Sequence, residues 1–135
     1  MGKTAILSLT AMIAGQIAVA MAIMTVPVLA PQISDDMNIE PSKIGLYSAV
    51  AFAGAITFTS AAGSVIARYG AIRTTQIALC LGSFGLCISL FMWIPAFIVG
   101  AFAVGMGYGV ATPAASHLLA RTIAPEQRGF IFSIK

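Results

Sequence analysis

Apolar residues fill this chain in four long windows, and the charged residues fall between them. The windows run from about residue 5 to 30, 44 to 67, 74 to 93 and 96 to 120, and every Asp, Glu, Lys and Arg lies outside them. A bilayer's hydrocarbon core takes about 20 apolar residues of helix, so each window is long enough to cross one. The windows do not alternate apolar with polar positions, as the short strands of a membrane barrel do. Backbone embedded in lipid must also satisfy its own hydrogen bonds, which a helix does within one segment. The pattern therefore predicts an all-α integral membrane protein with four transmembrane helices. After the fourth, "RTIAPEQRG" leads into "FIFSIK", where apolar residues resume as the expected start of a fifth helix near residue 129. Four spans and the start of another are expected of a partial N-terminal transmembrane domain over residues 1–135, an incomplete chain.

The segments between the windows set the expected hairpins and their sidedness. The longest connection is "PQISDDMNIEPSK", and its Pro41 sits where the first turn of the next helix accepts a residue without an N–H. The third and fourth windows are joined by a tight turn around Pro95. Short cytoplasmic loops collect Lys and Arg. Lys3, Arg68, Arg73, Arg121, Arg128 and Lys135 fall on one side, whereas the other has Lys43 against Asp35, Asp36 and Glu40. The bias predicts a cytoplasmic N-terminus and an acidic loop outside. Lys3 followed by an apolar stretch is also how a signal peptide begins. This stretch is about 26 residues long and ends among Pro27 and Pro31, far beyond a cleavable apolar region of roughly 7–15 residues, so it reads as a retained span.

Composition closes off other classes. The chain is 59% hydrophobic and 8% charged, with a mean hydropathy of +0.99, against about 25% charged in an ordinary soluble domain. The net charge of +3 is spread between apolar segments, so it forms no clustered basic face for nucleic acid. No nucleophile–base pair, metal-ligand spacing or phosphate loop points to an enzyme, a metal or a cofactor. Cys80 and Cys87 lie about two turns apart on one helix, too far for a mutual disulfide, and read as packing residues.

One short charged island, "GSVIARYGAIR" (63–73), stands between the second and third windows. Gly70 permits a sharp reversal, including positive φ, and Arg68 and Arg73 anchor the two helix ends at the headgroups. The island is similar to the signature loop of the major facilitator superfamily: Gly, three residues, Asp, a basic residue, any residue, Gly, then two basic residues. Gly63, Arg68 and Gly70 occupy matching positions, Ala67 stands where the family has Asp, and Arg73 arrives one residue after the paired basic positions. In the family that carboxylate resembles a latch that holds one transport state, so its absence implies a latch that is weakened or built differently. In the fourth window, "VGMGYGVATPAASHLLA" alternates Gly105, Gly107 and Gly109 ahead of Pro113. Such glycines are unfavourable in an isolated helix but let another backbone approach closely. A glycine-rich fourth helix followed by a loop like Pro125, Arg128 and Gly129 again resembles the superfamily. Ala101 stands where its drug–proton antiporters carry arginine. With "VPVLAPQI" and "IGLYSAVAFAGA", the likeness covers the whole chain in family order.

The resemblance implies the N-terminal half of a secondary transporter or permease in the plasma membrane, of the bacterial inner-membrane kind. Such a protein moves a small-molecule substrate by alternating access, with proton coupling open, against a missing C-terminal half. Polar groups inside membrane spans usually face protein or a water-filled cavity. Gln16 in the first window, and Thr112, Ser116 and His117 in the fourth, are the substrate-cavity candidates, because the family's first and fourth helices line its cavity. Gln76 and Ser83 fall on the peripheral third helix. His117 is the chain's one histidine, and imidazole titrates near physiological pH.

A complete four-helix small multidrug exporter is the alternative, although such proteins depend on a glutamate in the first helix, where this chain has Gln16. A non-transporting membrane subunit needs only packing helices. The expected topology is directly testable. Ser42→Cys, in the acidic connection, should react with a membrane-impermeant maleimide on intact cells, and reaction only after lysis would reverse the assignment.

Overall fold

The computed structural model describes residues 3–91 and 93–122. The expected start of a fifth helix near residue 129, with Pro125, Arg128 and Gly129, lies outside the described residues. Four helical stretches follow in order: α1 (Lys3–Val28), α2 (Ala30–Met37), α3 (Pro41–Ser89) and α4 (Ile94–Thr122). Among the described residues, three stretches are long and apolar enough to cross a membrane: Thr10–Val28, Ser42–Ser89 and Ile94–Leu118.

The four expected spans thus appear as three helical stretches, because the second and third windows form one run of 49 residues. Drawn straight, that run would reach about 74 Å, more than twice the ~30 Å hydrocarbon core. It is not straight. Gly70, at φ 77° and ψ 160°, interrupts the helical dihedrals in a region that is essentially closed to residues with a Cβ. The reversal falls at Gly70, as the island suggests, with helix up to Tyr69 and again from Ala71.

The acidic connection also differs from expectation. Its first part is helical, and α1 passes into α2 with Leu29 N–H donating to the Thr25 carbonyl at 3.1 Å and Ile33 N–H to the Leu29 carbonyl at 3.0 Å. Pro31 lies in the first turn of α2, where a missing N–H forfeits no bond. Asn38 ends the helix in the left-handed conformation, φ 55° and ψ 42°, one that Asn tolerates better than most residues. α3 then begins at Pro41, as the sequence suggests.

α4 is the central element. Its apolar window is 56% buried, against 33% for α1 and 28% for α3. Lipid tails are as apolar as leucine, so helices associate here through close packing more than through the hydrophobic effect. The two arms of α3 lie on α4 in opposite senses. In the first arm, a Cβ on Gly105 would strike the Ala51 carbonyl and one on Gly109 the Ala55 carbonyl, so the numbers rise together. In the second, a Cβ on Gly107 would lie 2.5 Å from the Ala78 carbonyl and one on Gly85 2.6 Å from the Gly100 carbonyl, so they run against each other. Residues two apart on a helix point about 200° apart; hence Gly105 and Gly109 serve one arm while Gly107 serves the other.

Larger side chains fill one end of this packing. Ile23 and Val26 of α1, Ile44 and Tyr47 of α3, and Phe97 and Val104 of α4 form one buried cluster. The Tyr47 and Phe97 rings meet at 4.8 Å with a 56° tilt, a geometry favoured by their quadrupoles. Val19, Ala78 and Ala111 form a second cluster, and Ala62, Ile66 and Ala114 a third.

Gly63, by contrast, has nothing within 4 Å of a built Cβ. Gly105→Ala should therefore cost about 1–3 kcal/mol through overpacking against backbone, whereas Gly63→Ala should be neutral or gain about 0.5–1 kcal/mol of helix stability. Thermal unfolding in detergent distinguishes the two, and equal shifts would mean that the glycine face of α4 does not set the packing.

Candidate functional site

The polar residues that interrupt the spans meet around one turn of α4. Gln16 of α1 is half-buried, and its Nε2 donates to the Thr112 Oγ1 at 3.1 Å, which ties α1 to α4 across the interior of the bundle. Ser116, one turn further along, donates its Oγ to the Thr112 carbonyl at 3.2 Å. Of the four expected cavity residues the fold thus brings together Gln16 and Thr112, while Ser116 bonds within its own helix. His117 is exposed and stands apart from the Gln16–Thr112 link.

Pro113 explains a contact that the sequence did not flag. α4 continues through Pro113, but a proline has no N–H to give to the carbonyl four residues earlier, here that of Gly109. That carbonyl instead shares the single proton of Thr59 Oγ1, 2.9 Å away across the helix interface. The same hydroxyl lies 2.8 Å from the Ala55 carbonyl of its own helix. The absence of a Cβ at Gly109 lets α3 come close enough for the bond to form. Thr59 could have been sought from the sequence, because a mid-span proline implies a freed carbonyl that needs a donor on a neighbour. Which neighbour supplies it depends on helix rotation.

Several other hydroxyls in the spans turn inward on their own helices. Thr25, Thr57, Thr74, Thr75 and Ser89 each donate to the carbonyl four residues back, at 2.8–3.0 Å. This local satisfaction is the usual behaviour of Ser and Thr within helices. Gln16–Thr112 and Thr59–Gly109, by contrast, join different helices.

The basic island takes a different form. Arg68 is exposed, with its guanidinium 5.6 Å from the centre of the Tyr69 ring. Arg73 is exposed just past the Gly70 reversal. Cys80 and Cys87 are free thiols exposed on the outside of the bundle and therefore take no part in its core. Among the described residues, no three His, Cys, Asp or Glu side chains gather into a metal-binding group.

A family model described as Major Facilitator Superfamily matches residues 12–135, from α1 through the end of the chain. No curated protein and no solved structure matches the chain.

The Pro113–Gly109–Thr59 arrangement makes a specific energetic prediction. Thr59→Val should destabilise by about 0.6–1.7 kcal/mol, the range found for interhelical side-chain bonds in membranes. In a Pro113→Ala background the new N–H reaches Gly109, and the same substitution should cost much less. A double-mutant cycle read by detergent unfolding checks this, and additive effects would separate the threonine from the proline.

Proposed function

The chain belongs to the Major Facilitator Superfamily, and from that membership we propose that it forms part of a secondary transporter moving a small solute by alternating access. In this reading the Gly70 reversal makes the two arms of α3 separate crossings, four in all. Their opposite senses on α4 support it. The charge bias then sets Lys3 and the Arg68–Arg73 island on the cytoplasmic side of a plasma membrane, as in a bacterial inner membrane.

The observation that carries the site assignment is the Gln16–Thr112 hydrogen bond. It places a carboxamide and a hydroxyl between two largely apolar spans, and intramembrane polar groups of this kind mark substrate paths. Such groups recognise a solute by exchanging their mutual bond for bonds to its own donors and acceptors. Ser116 extends the polar strip along α4. The site would close against the other half of the transporter, since the superfamily's two halves rock around a site near the midplane.

A thermal-shift screen of sugars, amino acids, organic acids and cationic dyes against the solubilised full-length protein tests this. At least one class should raise the melting temperature, and the same solute should be taken up by proteoliposomes. Gln16→Ala should weaken its binding about fivefold, the effect of losing roughly 1 kcal/mol of hydrogen bonding. Undiminished binding in both Gln16→Ala and Thr112→Val would overturn the site. Absence of solute flux for every binder would overturn the transporter reading.

A further inference from the structure

A shallow groove of ≈ 700 Å³ runs along the outside of the second arm of α3. Its lining changes character along its length. Tyr69, Arg73 and Gln76 form one end, beside the reversal at Gly70, and Ile77, Leu81 and Phe84 continue from there along the helix. The polar end offers a guanidinium, a carboxamide and a phenol as donors. Arg68, stacked over the Tyr69 ring, brings a second cation to the rim. The apolar end is open, with Phe84 61% exposed and Ile77 40% exposed.

We propose that this groove binds one anionic phospholipid, with its phosphate on Arg73 and Gln76 and an acyl chain along Ile77, Leu81 and Phe84. Three properties of the groove select that occupant. The charge at its head is positive, and guanidinium pairs with phosphate through paired, directional hydrogen bonds. From Arg73 to Phe84 the helix rises about 16 Å, roughly half the ~30 Å hydrocarbon core, which is the depth of one leaflet and one acyl chain. Arg73 also stands at the edge of the apolar window, the level of the headgroups. A soluble anion would use the head and leave the apolar floor unoccupied. A zwitterionic lipid would set its own cation beside Arg73 and Arg68.

Cys80 lies within the groove as an exposed thiol, which gives the test its readout. The full-length protein is reconstituted in phosphatidylcholine vesicles carrying a small fraction of a lipid with a thiol-reactive group midway along one chain. A phosphoglycerol headgroup on that lipid should label Cys80 about fivefold faster than a phosphocholine headgroup, the factor expected for one basic residue at an anionic headgroup. The preference should disappear in Arg73→Gln and persist in Arg73→Lys. It should also persist in Lys43→Gln, which removes a cation at the opposite end of the first arm. Equal labelling by both headgroups would overturn the proposal, as would a preference that survives Arg73→Gln. Loss of the preference in Lys43→Gln would overturn it too, because it would assign the effect to overall charge. A Cys80 that neither lipid labels would mean that protein covers the groove, and would equally refute it.

Discussion

Along α4, the carbonyl oxygens of Ala51, Ala78 and Ala55 lie where a methyl group at positions 105, 107 and 109 would otherwise be. This contact of backbone against backbone is what the arrangement of the bundle rests on. Within a bilayer core, water expulsion contributes little to bringing one helix against another, so attraction must come from dispersion and polar contacts at short range. The glycines make that range available on opposite sides of a single helix, which is why α4 can sit between the two arms of α3. The Gly85–Gly100 approach extends the same principle toward the turn before α4.

Close approach also decides where polar atoms can find partners. Pro113 withholds an N–H from the Gly109 carbonyl, and only because Gly109 has no side chain does Thr59 come near enough to replace it. One turn on, Thr112 receives the Gln16 carboxamide. The packing residues and the polar residues of α4 are therefore a single arrangement. The segment where helix α4 is weakest in its own hydrogen bonding is the segment that is tied to both of its neighbours.

Much of this could be read before the structure. The charge-free windows marked apolar helix, although the second and third fall in one run; Gly70 was legible as the reversal, and the alternating glycines announced a close approach. The α2 helix was not legible, because "APQISDDM" is short and polar, and what orders it is a proline in the first turn and a left-handed Asn38 at its end. Nor were the partners of the polar residues. A helix that is apolar on every side carries no periodic signal of which face is inward, so nothing in the sequence alone assigns Thr59 to Gly109 or Gln16 to Thr112. The same blindness hid the open surroundings of Gly63, which the motif alone would group with the tightly packed glycines. For the site, composition supplied the candidates, and helix rotation decided that Gln16 meets Thr112 while His117 is exposed.

The Gln16–Thr112 bond spans 96 positions of the chain, and that separation has a consequence for biosynthesis. A threonine that bonds within its own turn can leave the ribosome and enter the bilayer already satisfied, whatever follows it. Gln16 cannot do so through Thr112. The first span emerges with its carboxamide in place, and the hydroxyl that will receive it is translated only after the whole of α3. Until then the amide donor needs water or another temporary acceptor. The order of synthesis thus leaves Gln16 without its Thr112 partner until α4, the last of the described helices, has been made.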